Sequence, residues 1–264
     1  MNPMVRKELR QRMRERKGWI LPSLYLFVLS AITVLAYYGV AFTSGQEVQG
    51  FQIGVVLFFA AAYAQLCLLL LLVPIFSAAA LTIEKEQRTL AGLLTSLLRA
   101  ADIWWGKFVA SLLFVLLLLV AGLPVVSAAF AFGGIGPWEV FMMTLTTLLI
   151  LASISACGLY WSSAFRRSVH ATAVTYVTVV ALTVVTFVVF FITESLRGAH
   201  DWSTMPASVK VPLYFNPIFF LTMAFAPPRE LYPEWGACAA VYLAIALLSV
   251  LLTLHNLRRA GEGT

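Results

Sequence analysis

The chain has 264 residues, of which 61% are apolar and 11% charged, with a formal net charge of +6. A soluble domain carries roughly 25% charged residues, and a soluble fold of this length could not withdraw so much apolar surface from water. These values exclude a soluble enzyme, a disordered chain and a secreted disulfide scaffold. What remains is an all-α polytopic membrane protein, because the apolar runs are continuous and lack the period-two alternation of a β-barrel.

Residues 1–17 contain no Gly, and their only Pro is Pro3. Met1, Val5, Leu9 and Met13 recur every four residues with Met4 beside them, which gives a helix one apolar stripe. Its other faces are mostly cationic, and Arg6, Lys7, Arg10 and Arg14 suit anionic headgroups. An interfacial amphipathic helix is therefore expected over residues 1–18, on the inner face of the membrane. It serves as a topology anchor, or also as an elbow that touches a cytoplasmic partner. The apolar run that follows exceeds the roughly 7–15 residues of a signal-peptide core, so it reads as a retained span.

At about 20 residues per crossing, six runs are long enough to span: 19–42, 54–82, 108–132, 140–164, 169–193 and 235–255. Lys and Arg collect in alternate gaps. They fill the leader, then recur as Lys85, Arg88, Arg99 and Lys107 after the second run, Arg166 and Arg167 after the fourth, and Arg258 and Arg259 after the sixth. Together these make fifteen of the 18 basic residues. The positive-inside rule then puts both termini in the cytoplasm. The charge is an orientation signal, and no nucleic-acid partner is expected.

The spans offer little chemistry of their own. No Lys, Arg, Asp or Glu lies well inside any of them, which argues against an ion-driven carrier. Their Ser and Thr residues suit close packing and local hydrogen bonds, with a minority left to line a pathway. Pro74 and Pro124 are expected to kink their helices. Cys67, Cys157 and Cys238 form no C-x-x-C pair and read as buried structural thiols. Three scattered His residues and the absence of H-E-x-x-H and G-x-S-x-G motifs leave no base and nucleophile for an intramembrane hydrolase.

Residues 83–107 are the most informative. Glu84-Lys85-Glu86-Gln87-Arg88-Thr89 precedes Leu90, Leu93, Leu94, Leu97 and Leu98, whose spacing is that of an amphipathic helix. Nine residues cannot cross a bilayer, so this stripe lies in the interface or docks on a protein. Trp104, Trp105 and Lys107 give an aromatic and basic re-entry into the membrane. Residues 194–234 form a long external segment. Its apolar stretch, 211–225, is too short to span and is interrupted at Asn216-Pro217. A broken, re-entrant helix pair is expected there, acting as a packed cap or a substrate gate.

The run Glu84-Lys85-Glu86-x-x-Thr89-Leu90-x-x-Leu93-Leu94, followed by Asp102-Ile103-x-x-Gly106-Lys107, resembles the signature of type-2 ATP-binding-cassette (ABC) permeases. Arg88 stands where that family usually has Gly, and Leu97 where Pro is common. Val5-Arg6-Lys7-Glu8-Leu9 is similar to the family's opening K-E-L. The resemblance implies a six-span permease subunit whose loop after the second span carries a helix that docks on a separate ABC ATPase. Glu84, Glu86, Arg88, Thr89, Leu90, Leu93 and Leu94 would form that contact, with Arg166 and Arg167 as a minor one. This chain has no G-x-x-x-x-G-K-[ST] phosphate loop. It is therefore expected to hold no cofactor and no hydrolytic site of its own, with ATP and Mg on the partner ATPase. A second permease chain, identical or homologous, would complete the pathway across the inner membrane. Export of a hydrophobic or amphipathic substrate is the expected activity. The alternatives are a non-transporting anchor or mechanical transmission subunit of an ATPase complex, and a secondary carrier.

Overall fold

The computed structural model describes residues 17–43, 50–87, 100–197, 207–225 and 232–262. Every regular element among them is helical. In chain order they are α1 (Lys17–Thr43), α2 (Gly50–Glu86), α3 (Ala100–Ser127), α4 (Pro137–Ala164), α5 (Ser168–Val180), α6 (Thr186–Arg197), α7 (Ala207–Tyr214), α8 (Pro217–Met223) and α9 (Tyr232–Glu262). A short 3-10 turn, Ala128–Phe132, follows α3, and a π-helical turn, Ala181–Val185, joins α5 to α6 into one rod. Six helices are long and apolar enough to cross a membrane, the fifth being the α5–α6 rod. The leader 1–16 and the leucine stripe of 88–99 lie outside the described residues.

The apolar runs become helices because a bilayer supplies no partner for a free N–H or C=O, and only a helix satisfies each group within its own segment. Two helices sit at the centre. α2 packs against α1, α3, α4 and α5, while α4 packs against α3, α5 and α9. Phe58, Leu66, Leu69, Ile150, Leu151 and Tyr242 fill the main core. A second cluster, Leu81, Ile103, Trp104, Leu159 and Leu257, gathers four helices at one end of the bundle. The outward faces are apolar too. Phe27 and Leu35 on α1, Val177 on α5, Phe191 on α6, and Leu247 and Leu251 on α9 are all exposed. Such surface is unfavourable against water by about 25 cal/mol per Å², and hydrocarbon removes that penalty.

Two close approaches hold the centre together. Gly158 on α4 leaves room for Ser77 of α2, whose Oγ would be only 2.1 Å from a β-carbon placed there. Gly54 on α2 similarly meets the Gly133 carbonyl, which would be 2.1 Å from an added β-carbon. Gly133 itself has φ 82°, a left-handed conformation that glycine adopts without strain. Small residues at helix contacts are the membrane route to dense packing, since lipid gives no hydrophobic drive between helices.

The proline positions are set into the helices. Pro74 lies inside α2 and Pro124 inside α3. Pro74 removes one backbone donor, and three residues before it the Leu71 carbonyl accepts the Tyr176 hydroxyl of α5 at 2.5 Å. Most span hydroxyls are used locally. Thr144, Thr175, Thr178 and Thr183 each donate to the carbonyl four residues earlier, at 2.7–2.9 Å.

Candidate functional site

One end of the bundle gathers the last turn of α2, the first turns of α3 and α5, and the last turns of α4 and α9. The sequence places consecutive charges there, just past the apolar run that ends at Thr82. Each finds a helix terminus or an opposite charge. Helix α4 stops at Ala164, so its final carbonyls have no helical partner. Lys85 Nζ donates to three carbonyls at that stop: Ser162 at 3.0 Å, Ser163 at 2.5 Å and Phe165 at 2.9 Å. A cation there also meets the negative end of the helix dipole. The next residue does the converse. Glu86 Oε1 accepts the backbone N–H of Ser168 at 2.6 Å, at the positive start of α5. The Ser162 hydroxyl oxygen closes the same contact from α4, accepting the N–H groups of Leu81 and Thr82 at 2.9 and 3.0 Å.

Glu84 turns the other way, to α3. Its Oε1 lies 2.8 Å from Lys107 Nζ, and the same ammonium donates to the Ala80 carbonyl at 2.6 Å. Lys107 is 2% exposed and Glu84 16%. Lys107 is thus drawn against neighbouring protein groups. Trp104 is buried and stacks on Phe108 with centroids 4.7 Å apart, while its neighbour Trp105 is exposed. Asn256 of α9 donates to the Ser163 hydroxyl at 3.0 Å, which binds the last helix to the same end.

Arg166 and Arg167 occupy the three-residue link between α4 and α5, and both are exposed. Arg88, Thr89, Leu90, Leu93 and Leu94 lie outside the described residues, as do Arg6, Lys7, Arg10 and Arg14. Of the sequence-derived candidates, Glu84, Glu86 and Lys107 meet in one contact region, Trp104 packs beside them, and Arg166 and Arg167 face outward.

Three participants escaped the sequence reading. Lys85 was part of the motif but assigned no role, although a lysine at a helix end is a ready partner for stray carbonyls. Ser162 and Ser168 carry no motif at all. At the opposite end of the bundle, Asn216 has a comparable position. It is 1% exposed and uses every hydrogen-bonding site of its amide. Its Oδ1 accepts from the Ile218 and Phe219 N–H groups, capping α8, at 2.9 and 3.1 Å. Its Nδ2 donates to the Thr183 carbonyl of the π turn and to the Thr186 hydroxyl at the start of α6, both at 2.9 Å. Tyr242 donates to the adjoining Phe215 carbonyl at 2.9 Å. Glu234 pairs with Lys210 at 3.5 Å and accepts the Tyr214 hydroxyl.

Among the described residues no three His, Cys, Asp or Glu side chains gather to hold a metal ion. The charged end offers ion pairs and capped helix termini. Compared with known families, the chain matches the model described as ABC-2 family transporter protein over residues 3–254. No curated protein matches it.

Proposed function

This chain belongs to the ABC-2 transporter family and is a multi-pass membrane permease component of an ABC transporter, and from that premise we propose that it exports a substrate across the inner membrane with energy from a separate ATPase subunit. The observation that carries the reading is the joining of α2, α3, α4 and α5 at the point where the motif segment leaves α2. Lys85 holds α4, Glu86 holds α5 and Glu84 holds α3. A segment that departs from such a junction can act on several spans when a partner pulls it.

In this reading Arg88, Thr89, Leu90, Leu93 and Leu94 present the main docking surface to the ATPase, on the strength of the sequence motif. Glu84 and Glu86 form its rigid base, and the exposed Arg166 and Arg167 give a second, smaller contact. ATP and Mg bind on the partner. The distribution of Lys and Arg puts this charged end and both termini in the cytoplasm. The leader residues Arg6, Lys7, Arg10 and Arg14 lie against anionic headgroups, and exposed Trp105 sits at the same interface. A second permease chain, of the same or a homologous sequence, completes the pathway. Spans without charged side chains suit an apolar or amphipathic cargo.

The test places a photo-crosslinking amino acid at Leu93 or Leu94. The expected product is a chain that contains G-x-x-x-x-G-K-[ST], identified by mass spectrometry. Leu93→Asp and Leu94→Asp should weaken its association by about tenfold or more, the cost of losing a buried interface anchor, while membrane insertion stays intact. Deletion should leave an amphipathic compound accumulated in cells and depleted from the medium. Absence of an ATP-binding chain among the crosslinked products would sink the reading.

A further inference from the structure

The docking segment leaves α2 at Gln87, directly after Lys85 and Glu86. Those two side chains reach sideways, to two neighbouring helices. Lys85 closes the carbonyl end of α4 through three acceptors, and Glu86 closes the amide end of α5. We infer that Lys85 and Glu86 are positioning residues that carry motion of the docking segment into α4 and α5, in addition to α2 and α3. The inference rests on the functional reading above.

Three physical features support it. The charges have the correct signs: a cation at a helix C-terminus and an anion at a helix N-terminus each meet the favourable end of a dipole. Both bonds are charge-assisted, the stronger class of hydrogen bond. The α4–α5 link has only Phe165, Arg166 and Arg167, and three residues reach about 10 Å at full extension. Such a link has little slack, so a shift of the last turn of α2 moves the end of α4 and the start of α5 together. The Ser162 hydroxyl holds the same registry from the backbone side. The α5–α6 rod then runs about 22 Å from Ser168 to Thr183. There its π turn receives the Asn216 amide. The clasp thus joins the docking segment to the short helices α7 and α8 at the opposite end.

The test uses the full permease–ATPase complex in nanodiscs. The variants are Lys85→Met, which keeps the stem and removes the donor, Lys85→Arg, which keeps a cationic donor, and Glu86→Ala. Three readouts are taken: retention of the ATPase on affinity purification, ATP hydrolysis, and hydrogen exchange with and without ATP plus vanadate. In the unmodified complex, trapping should change exchange in the first turn of α5, residues 168–171. With Lys85→Met or Glu86→Ala the ATPase should remain bound. With Glu86→Ala, exchange in that turn should rise about tenfold, in line with one lost charged hydrogen bond. Its response to trapping should vanish, while the response at the start of α3 persists. Lys85→Arg should retain the response. A full response of residues 168–171 in Lys85→Met and Glu86→Ala overturns the inference. If Lys85→Met does not assemble, Glu86→Ala decides it, because that side chain is exposed. Failure of the unmodified chain to retain any ATPase strikes the functional reading instead. The clasp is then judged on the isolated permease, where Glu86→Ala must still speed exchange at 168–171.

Discussion

Replacing Gly158 by Ala sets two effects of opposite sign against each other. Alanine is favoured over glycine in a helix by about 1 kcal/mol, so propensity alone predicts a more stable α4. Packing predicts the reverse. The added β-carbon would lie 2.1 Å from Ser77 Oγ, 2.8 Å from Ser77 Cβ and 3.3 Å from the Ala78 nitrogen. Rotating Ser77 relieves the first contact but not the second, because its Cβ is fixed by the α2 backbone. Carbon atoms at rest sit about 3.5–4 Å apart, so α2 and α4 must separate by roughly 1 Å. Overpacking of this kind costs about 1–3 kcal/mol. Four residues further along α4, Ser162 depends on the same separation for its bonds to Leu81 and Thr82. We therefore expect the upper end of that range, and after the propensity gain a net loss of about 2 kcal/mol. Ser77→Gly removes the obstructing side chain, so the Gly158→Ala, Ser77→Gly double variant should be at least as stable as Ser77→Gly alone. Unfolding by SDS titration in mixed micelles, followed by tryptophan fluorescence, measures all four corners of the cycle. A Gly158→Ala protein more stable than its parent, or a coupling energy near zero, would refute the close contact between α2 and α4.

Two further predictions concern the ends of the bundle. Glu84→Leu leaves the ammonium of Lys107 without its carboxylate at a site 2% exposed, and should cost about 3–5 kcal/mol. Lys107→Met should cost less, because Glu84 is nearer water, and the joint substitution should recover most of the loss. Thermal melting in detergent ranks them, and a joint variant as unstable as the two losses added would contradict a buried pair. At the opposite end, Asn216→Ala removes the cap of α8, worth about 1 kcal/mol, and frees the π turn. Hydrogen exchange should rise in both 181–186 and 217–223. Asn216→Asp should protect 217–223, where the cap survives, but not 181–186, where both donors are lost. Unchanged exchange at 181–186 in either variant would detach Asn216 from the π turn.

The fold class was legible because a bilayer imposes it: long apolar runs have no viable structure there except helices. The family was legible from the charges around residues 84–107. The partners of those charges were not. Glu84-Lys85-Glu86 reads locally as a solvated charge cluster, yet Lys85 meets carbonyls at Ser162, Ser163 and Phe165, far along the chain. No periodicity within α2 encodes where α4 ends in space. Asn216 shows the same boundary within one residue. Its cap on α8 follows from sequence, since Asn before Pro is a natural helix start. Its donation to Thr183 and Thr186 does not, because the π turn of α5–α6 has no compositional signature.

A membrane bundle leaves few places where a charge can be both stable and useful. Inside a span, every backbone group is bound within its own helix. At a helix end, several N–H or C=O groups are free, and the dipole is strongest. A charge placed there stabilises the terminus and, when it comes from a neighbouring helix, fixes the two helices to each other. Lys85 and Glu86 do this for α4 and α5. A carboxylate already bound to a helix terminus or to Lys107 has little left to offer an external partner. Within one short motif, Glu84, Lys85 and Glu86 therefore hold the bundle, and the proposed docking role rests on the leucine stripe that follows.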